Sequence, residues 1–128
     1  MCSSDLRPVQ ERIPIWVVGV WPRPTSMRRV LRCDGIIPQY DLGGREHEPS
    51  DAREAKDWLI GHGAGAGLDV ICEGETPADD HAAAAAAVTP WAEAGCTWWL
   101  ETRWQMPHDA GDRMLPVRER LIAGPPAG

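Results

Sequence analysis

Short apolar runs alternate with amphipathic stretches four times along the chain. The first run, Ile13 to Val18, is bounded by Gly19 and by prolines, the pattern of a strand buried on both faces in a parallel sheet. Thr25 or Ser26 is placed to cap a helix in which Met27, Val30 and Leu31 share one face. Asp34-Gly35 predicts a tight turn into a second short strand, Ile36-Ile37, that Pro38 ends. A polar loop follows, and Ser50 or Asp51 then opens a helix to about Gly61. Asp51 with Glu54 fits a capping box, and Ala52, Ala55, Trp58 and Leu59 form an inner stripe. Leu68 to Glu73 is a third strand. Thr76 is a good cap for the next helix, with Pro77 at its first position and Asp79 and Asp80 at the positive end of its dipole. The alanines 82–87 continue that helix. Thr89-Pro90 is expected to break and restart it, and Gly95 to end it. Cys96 to Leu100 is the fourth strand, and a last helix is expected near Asp112–Ala123, kinked around Pro116.

This is a strand–helix unit repeated four times, with strands roughly 20 to 35 residues apart, as in an α/β barrel or an open parallel sheet. A full (β/α)8 barrel takes about 250 residues, so four units make half of one. Half a barrel leaves two strand edges and an inner layer of side chains uncovered. Residues 12–123 carry the repeat. Cys2-Ser3-Ser4-Asp5-Leu6 resembles the translation of a sequencing adapter, so residues 1–11 are expected to be a non-native or disordered lead-in. Residues 124–128 read as a disordered tail.

Composition changes this picture little. The 128 residues have a formal net charge of −6 and 43% apolar content. An acidic chain disfavours nucleic acid, which needs a basic face. No apolar run reaches membrane-spanning length, and the start has no apolar signal core. The cysteines at 2, 33, 72 and 96 lack metal-ligand spacing. They read as small buried hydrophobes in a reducing cytoplasm, with a disulfide framework or zinc site as the alternative.

Candidate chemistry gathers at the carboxyl ends of the strands, where α/β sheets bind ligands. The barrel rule alone points to Gln39, Glu73, Glu75, Glu101, Arg103 and Trp104. Glu73 or Glu101 can serve as acid or base if desolvation tunes it, or can cap a helix or pair with an arginine. Gln39 and Trp104 are candidates for a substrate pocket, and packing is the alternative for Trp104. Trp16, Trp98 and Trp99 read first as core or helix-facing residues. Gly61-His62-Gly63-Ala64-Gly65-Ala66-Gly67 looks like a phosphate loop, but it follows a helix and precedes a strand, so it reads as a helix C-cap and link. His47 between Glu46 and Glu48 reads as part of a solvated loop and not as a metal site.

Four stretches in order resemble the carboxyl-terminal half of the luciferase-like monooxygenase family. They are Ile13-Pro14-Ile15-Trp16-Val17-Val18-Gly19, Arg28 through Pro38, Val70-Ile71-Cys72-Glu73-Gly74-Glu75-Thr76-Pro77, and Trp91 through Glu101. The resemblance covers the chain after about Val9. It implies the last four βα units of a (β/α)8 TIM barrel and a flavin- or deazaflavin-dependent oxidoreductase or monooxygenase using FMN or the deazaflavin coenzyme, without a metal. It places Gly19, Val20, Trp21 and Ser26 on the phosphate side of the coenzyme. Here Trp21-Pro22-Arg23-Pro24 departs from the family's small residues. Two prolines remove two amide donors, and Arg23 becomes a candidate charge partner or a solvated loop residue. The family's other catalytic groups lie on the first four strands, so the implied partners are an amino-terminal half-barrel and a small-molecule substrate, and the isolated chain is expected to be inactive. Two other readings are a non-catalytic half-barrel that self-associates, as a homodimer, and a barrel enzyme of different chemistry, such as a phosphate-binding lyase.

Overall fold

A computed structural model describes residues 9–105 and 110–126. The chain alternates β1 (Trp16–Trp21), α1 (Pro24–Val30), β2 (Gly35–Tyr40), α2 (Pro49–Gly61), β3 (Asp69–Gly74), α3 (His81–Ala94), β4 (Trp98–Glu101) and α4 (Ala110–Ala123). The four strands lie in sequence order and every neighbouring pair is parallel. This is an α/β fold of repeated βα units. β1 and β4 are the edges of the sheet.

Register sorts the strand residues onto two faces, because successive side chains point opposite ways. One face carries Val17, Ile36, Val70, Cys72 and Trp99, which pack with Met27 and Val30 of α1 and Ala52, Ala55 and Leu59 of α2. Trp91 of α3 joins the same cluster. The other face carries Trp16, Val18 and Val20, Ile37 and Gln39, Ile71 and Glu73, and Trp98 and Leu100. None of these residues belongs to the helix-packed cluster, and Ile71, near the middle of the face, is 2% exposed. Trp16, Val18, Trp98 and Leu100 remain 38, 43, 55 and 47% exposed. The sheet curves toward this bare face so far that Trp16 and Trp98, on opposite edge strands, bring their rings to 5.3 Å. The Trp16 indole N–H also donates to Asp69 Oδ2 at 3.1 Å.

Several boundaries differ from the sequence expectation. β1 begins at Trp16, and among the described residues its helix-side face is the more buried one, with Trp16 and Val18 exposed on the other. Ile15 is instead held by Asp34: the Ile15 N–H donates to Asp34 Oδ2 and the Asp34 N–H to the Ile15 carbonyl, both at 2.8 Å. Trp16 and Trp98 are therefore neither core nor helix-facing. β2 does not end at Pro38. The proline pairs with Gly19 of β1, while the β2–β3 ladder stops two residues earlier, at Ile36↔Val70, so its missing N–H breaks no bond there.

The caps differ as well. Neither Thr25 nor Ser26 caps α1; Pro24 takes the first turn, and the Ser26 hydroxyl accepts from the Val20 N–H at 2.9 Å. The capping box of α2 joins Glu48 with Asp51, not Asp51 with Glu54. α3 starts at His81, where Asp80 Oδ1 accepts from the Ala83 N–H at 2.9 Å. Thr76 does not cap it. α3 also runs unbroken through Pro90 to Gly95, which closes it at φ 102°. The Thr89 hydroxyl donates to the Ala85 carbonyl at 2.8 Å beside the proline. Finally, Cys72 and Cys96 form a disulfide with Cα atoms 6.1 Å apart. This overturns the expectation of free buried thiols for Cys72 and Cys96, while Cys33 is free and half-buried. No described helix is long and apolar enough to cross a membrane.

Candidate functional site at the carboxyl edge of the sheet

The carboxyl ends of the strands bring the candidate residues to one edge of the molecule but divide them between the two faces. Glu73 pairs in register with Leu100 and lies on the bare face. Glu101 pairs with Gly74 and lies on the helix side. The two carboxylates do not share a pocket.

Glu101 is held by its neighbours. It accepts from the Thr76 N–H at 2.7 Å, the Thr76 hydroxyl at 2.8 Å and the Trp99 indole at 3.2 Å, and the Arg103 guanidinium stands 3.4 Å away. Thr76 is 1% exposed. This arrangement ties the loop after β3 to the end of β4, and every oxygen of Glu101 has a partner. Arg103 also donates to Glu75 at 3.0 Å and to the Thr76 carbonyl at 3.1 Å. Trp104 is 80% exposed. Among the described residues Glu73 is freer, with one long contact, from Gln39 Nε2 at 3.4 Å.

At the end of β1, Gly19 is buried on the helix side. A Cβ there would lie 2.8 Å from Ile36 Cδ1 and 2.9 Å from Val30 Cγ2, so its smallness serves helix–sheet packing. The Val20 N–H is spent on Ser26. Trp21 faces the helices and packs against the core. The Arg23 guanidinium is paired with Asp41, its Nε donating at 2.8 Å, and the pair is exposed. The Val20 amide is thus not free for an anion. What remains is an open depression of about 570 Å3 lined by Arg23, Thr25, Ser26 and Arg29, two guanidiniums and two hydroxyls, which suits an anion by charge.

Sequence reasoning missed an aromatic group behind this edge. His47 stacks on Tyr40 with ring centroids 4.5 Å apart and planes 7° from parallel, and Trp91 lies 5.5 Å from His47. The Tyr40 hydroxyl is buried without a partner among the described residues. Burial, reinforced by Asp51, pushes its phenol well above the ordinary range. Asp51 itself is 4% exposed. The Arg45 guanidinium, at 2.7 Å, holds its carboxyl below the ordinary range against the desolvation that raises it, and the Glu48 N–H adds to the lowering. Among the described residues no cluster of His, Cys, Asp and Glu could hold a metal ion.

Comparison of the chain with protein-family models, with characterised proteins and with solved structures gave no match.

Proposed function

We propose that the chain is the carboxyl-terminal half of a (β/α)8 barrel, and that the closed barrel is a flavin- or deazaflavin-dependent oxidoreductase of the luciferase-like monooxygenase kind. The observation that carries the barrel reading is the bare, apolar, concave face of the sheet. Four parallel strands in sequence order, helices on the convex side and an inward-curving row of Trp16, Val18, Trp98 and Leu100 are what half of a barrel interior looks like before the other half fills it. The flavin reading rests on the four motifs set out above.

In this reading the coenzyme phosphate sits in the depression at Arg23, Thr25, Ser26 and Arg29. It is held by the charge and hydroxyls of these side chains. Glu73 and Gln39 stand on the inner face, where a substrate lies, and Glu73 is the better acid–base candidate because Glu101 is already fully bonded. The coenzyme supplies the redox chemistry when bound; the chain positions it and excludes water only once the face is covered. The test is to assay FMN and deazaflavin binding and turnover with the 128-residue protein alone and with an added amino-terminal half-barrel. Activity only in the mixture is expected, and turnover by the isolated chain would overturn the half-barrel assignment.

The two free edges favour a second reading. A two-fold axis along the barrel places β4 of one copy beside β1 of another, parallel and at both seams at once, and so closes a barrel from two identical chains. A stable flavin-free dimer in sedimentation would support this non-catalytic, self-associating module.

A further inference from the structure

The middle of the sheet is split at its carboxyl end. Only Gly35↔Asp69 and Ile36↔Val70 join β2 to β3, although β2 continues to Tyr40 and β3 to Gly74. Beyond those pairs the backbones have no ladder partner across the gap, and Pro38 has no N–H to offer one. A cavity of about 140 Å3 opens at this split. The residues lining it include Tyr40, His47, Trp91, Gln39 and Glu73.

We propose that this cleft binds the head group of a small organic cation, a guanidinium or an ammonium. Three aromatic residues line it from the helix side and Glu73 from the other face, and no lysine or arginine lines the space. Aromatic faces attract cations, more strongly when water is excluded, and the Glu73 carboxylate adds a charged acceptor. With a carboxylate and no cationic side chain in the lining, a donor-rich cation is matched and an anion is not. The volume corresponds to about five water-sized portions, which admits a head group of about five heavy atoms and excludes a flavin ring. The cleft is formed by the chain alone and does not depend on the barrel reading.

The experiment titrates the intact 128-residue protein with methylguanidinium chloride, read by calorimetry and by the indole N–H resonance of Trp91. Sodium chloride of equal ionic strength serves as the blank, and sodium acetate as the anionic comparison. Saturable one-site binding in the millimolar range is expected, with no saturation by acetate. Glu73→Gln keeps the side-chain shape and is expected to weaken binding about tenfold; Trp91→Leu is expected to weaken it about threefold. Circular dichroism verifies that both variants fold, and Arg53→Gln, outside the cleft, serves as the control if either does not. No saturation by methylguanidinium, equal saturation by acetate, or unchanged binding in a folded Glu73→Gln protein would each overturn the proposal. Flavin plays no part in the readout, so failure here leaves the oxidoreductase reading where it stood.

Discussion

Val17 and Val18 are neighbours of one kind in one strand, and so are Trp98 and Trp99. In each pair one side chain packs beneath the helices and the other lies on the opposite face, about half exposed. The two faces of this sheet are therefore built from similar apolar residues and differ in what covers them. Helices α1 and α2 seal one face with Met27, Val30 and Leu59, all 0% exposed. Apolar composition marks both faces as destined for burial, and local sequence specifies the cover for only one.

The sharpest way to break this comparison is to delete the same side chain from each face. Leu59→Ala, on the sealed side, leaves a cavity and is expected to cost about 2–5 kcal/mol in urea unfolding. The disulfide comes next. Cys72 and Cys96 are 24 positions apart, and a loop of that length is worth about 3.5 kcal/mol in the chain-entropy account. Cys72→Ser, or reduction with dithiothreitol, is expected to lower the urea midpoint accordingly, and an unchanged midpoint would show that the bond does not form in solution.

A smaller effect comes from Asp51. Its folded pKa is depressed, so the stability it adds is present above the ordinary carboxylate pKa of about 3.9 and lost as pH falls through the lower folded value. Asp51→Asn is expected to be less stable than the parent at neutral pH and to show a shallower loss in acid, as measured by thermal melts from neutral pH downward. The smallest effect belongs to the bare face. Leu100→Ala in the monomer is expected to change stability by less than about 0.5 kcal/mol. If the face is covered by another half-barrel or another copy, the same substitution approaches the Leu59→Ala cost, so this one measurement distinguishes a bare face from a filled one.

Much of the fold was legible because βα alternation depends on short-range patterning. Apolar runs marked all four strands, and the Ala52, Ala55 and Leu59 stripe marked the inner side of α2. The misplacements have non-local causes. Ile13 and Ile15 extend the apolar run of β1, but Asp34, nineteen positions beyond Ile15, captures the chain before the ladder starts. Thr76 has the chemistry of a cap, yet Glu101, twenty-five positions away, claims both its hydroxyl and its N–H. The Cys72–Cys96 pair is joined by a βα crossover, and its trace in the sequence was a cysteine inside one strand and another just before the next.

At the carboxyl edge, strand ends alone named Gln39 and Glu73, which lie on the bare face, together with Glu101, which lies on the other. They could not separate Glu73 from Glu101, because the face of Glu101 depends on the register of β4. Nor did any local pattern bring His47, in a polar loop, against Tyr40 and Trp91.

The contact between Trp16 and Trp98 has a consequence for spectroscopy. Two indoles 5.3 Å apart with planes tilted by 55° are close enough for their transitions to couple, so the pair is expected to give a split circular-dichroism band that either Trp16→Leu or Trp98→Leu abolishes. Because one ring belongs to each edge strand, that band is an optical gauge of how tightly the sheet is bowed. It can be followed while urea, reductant or a second half-barrel is added.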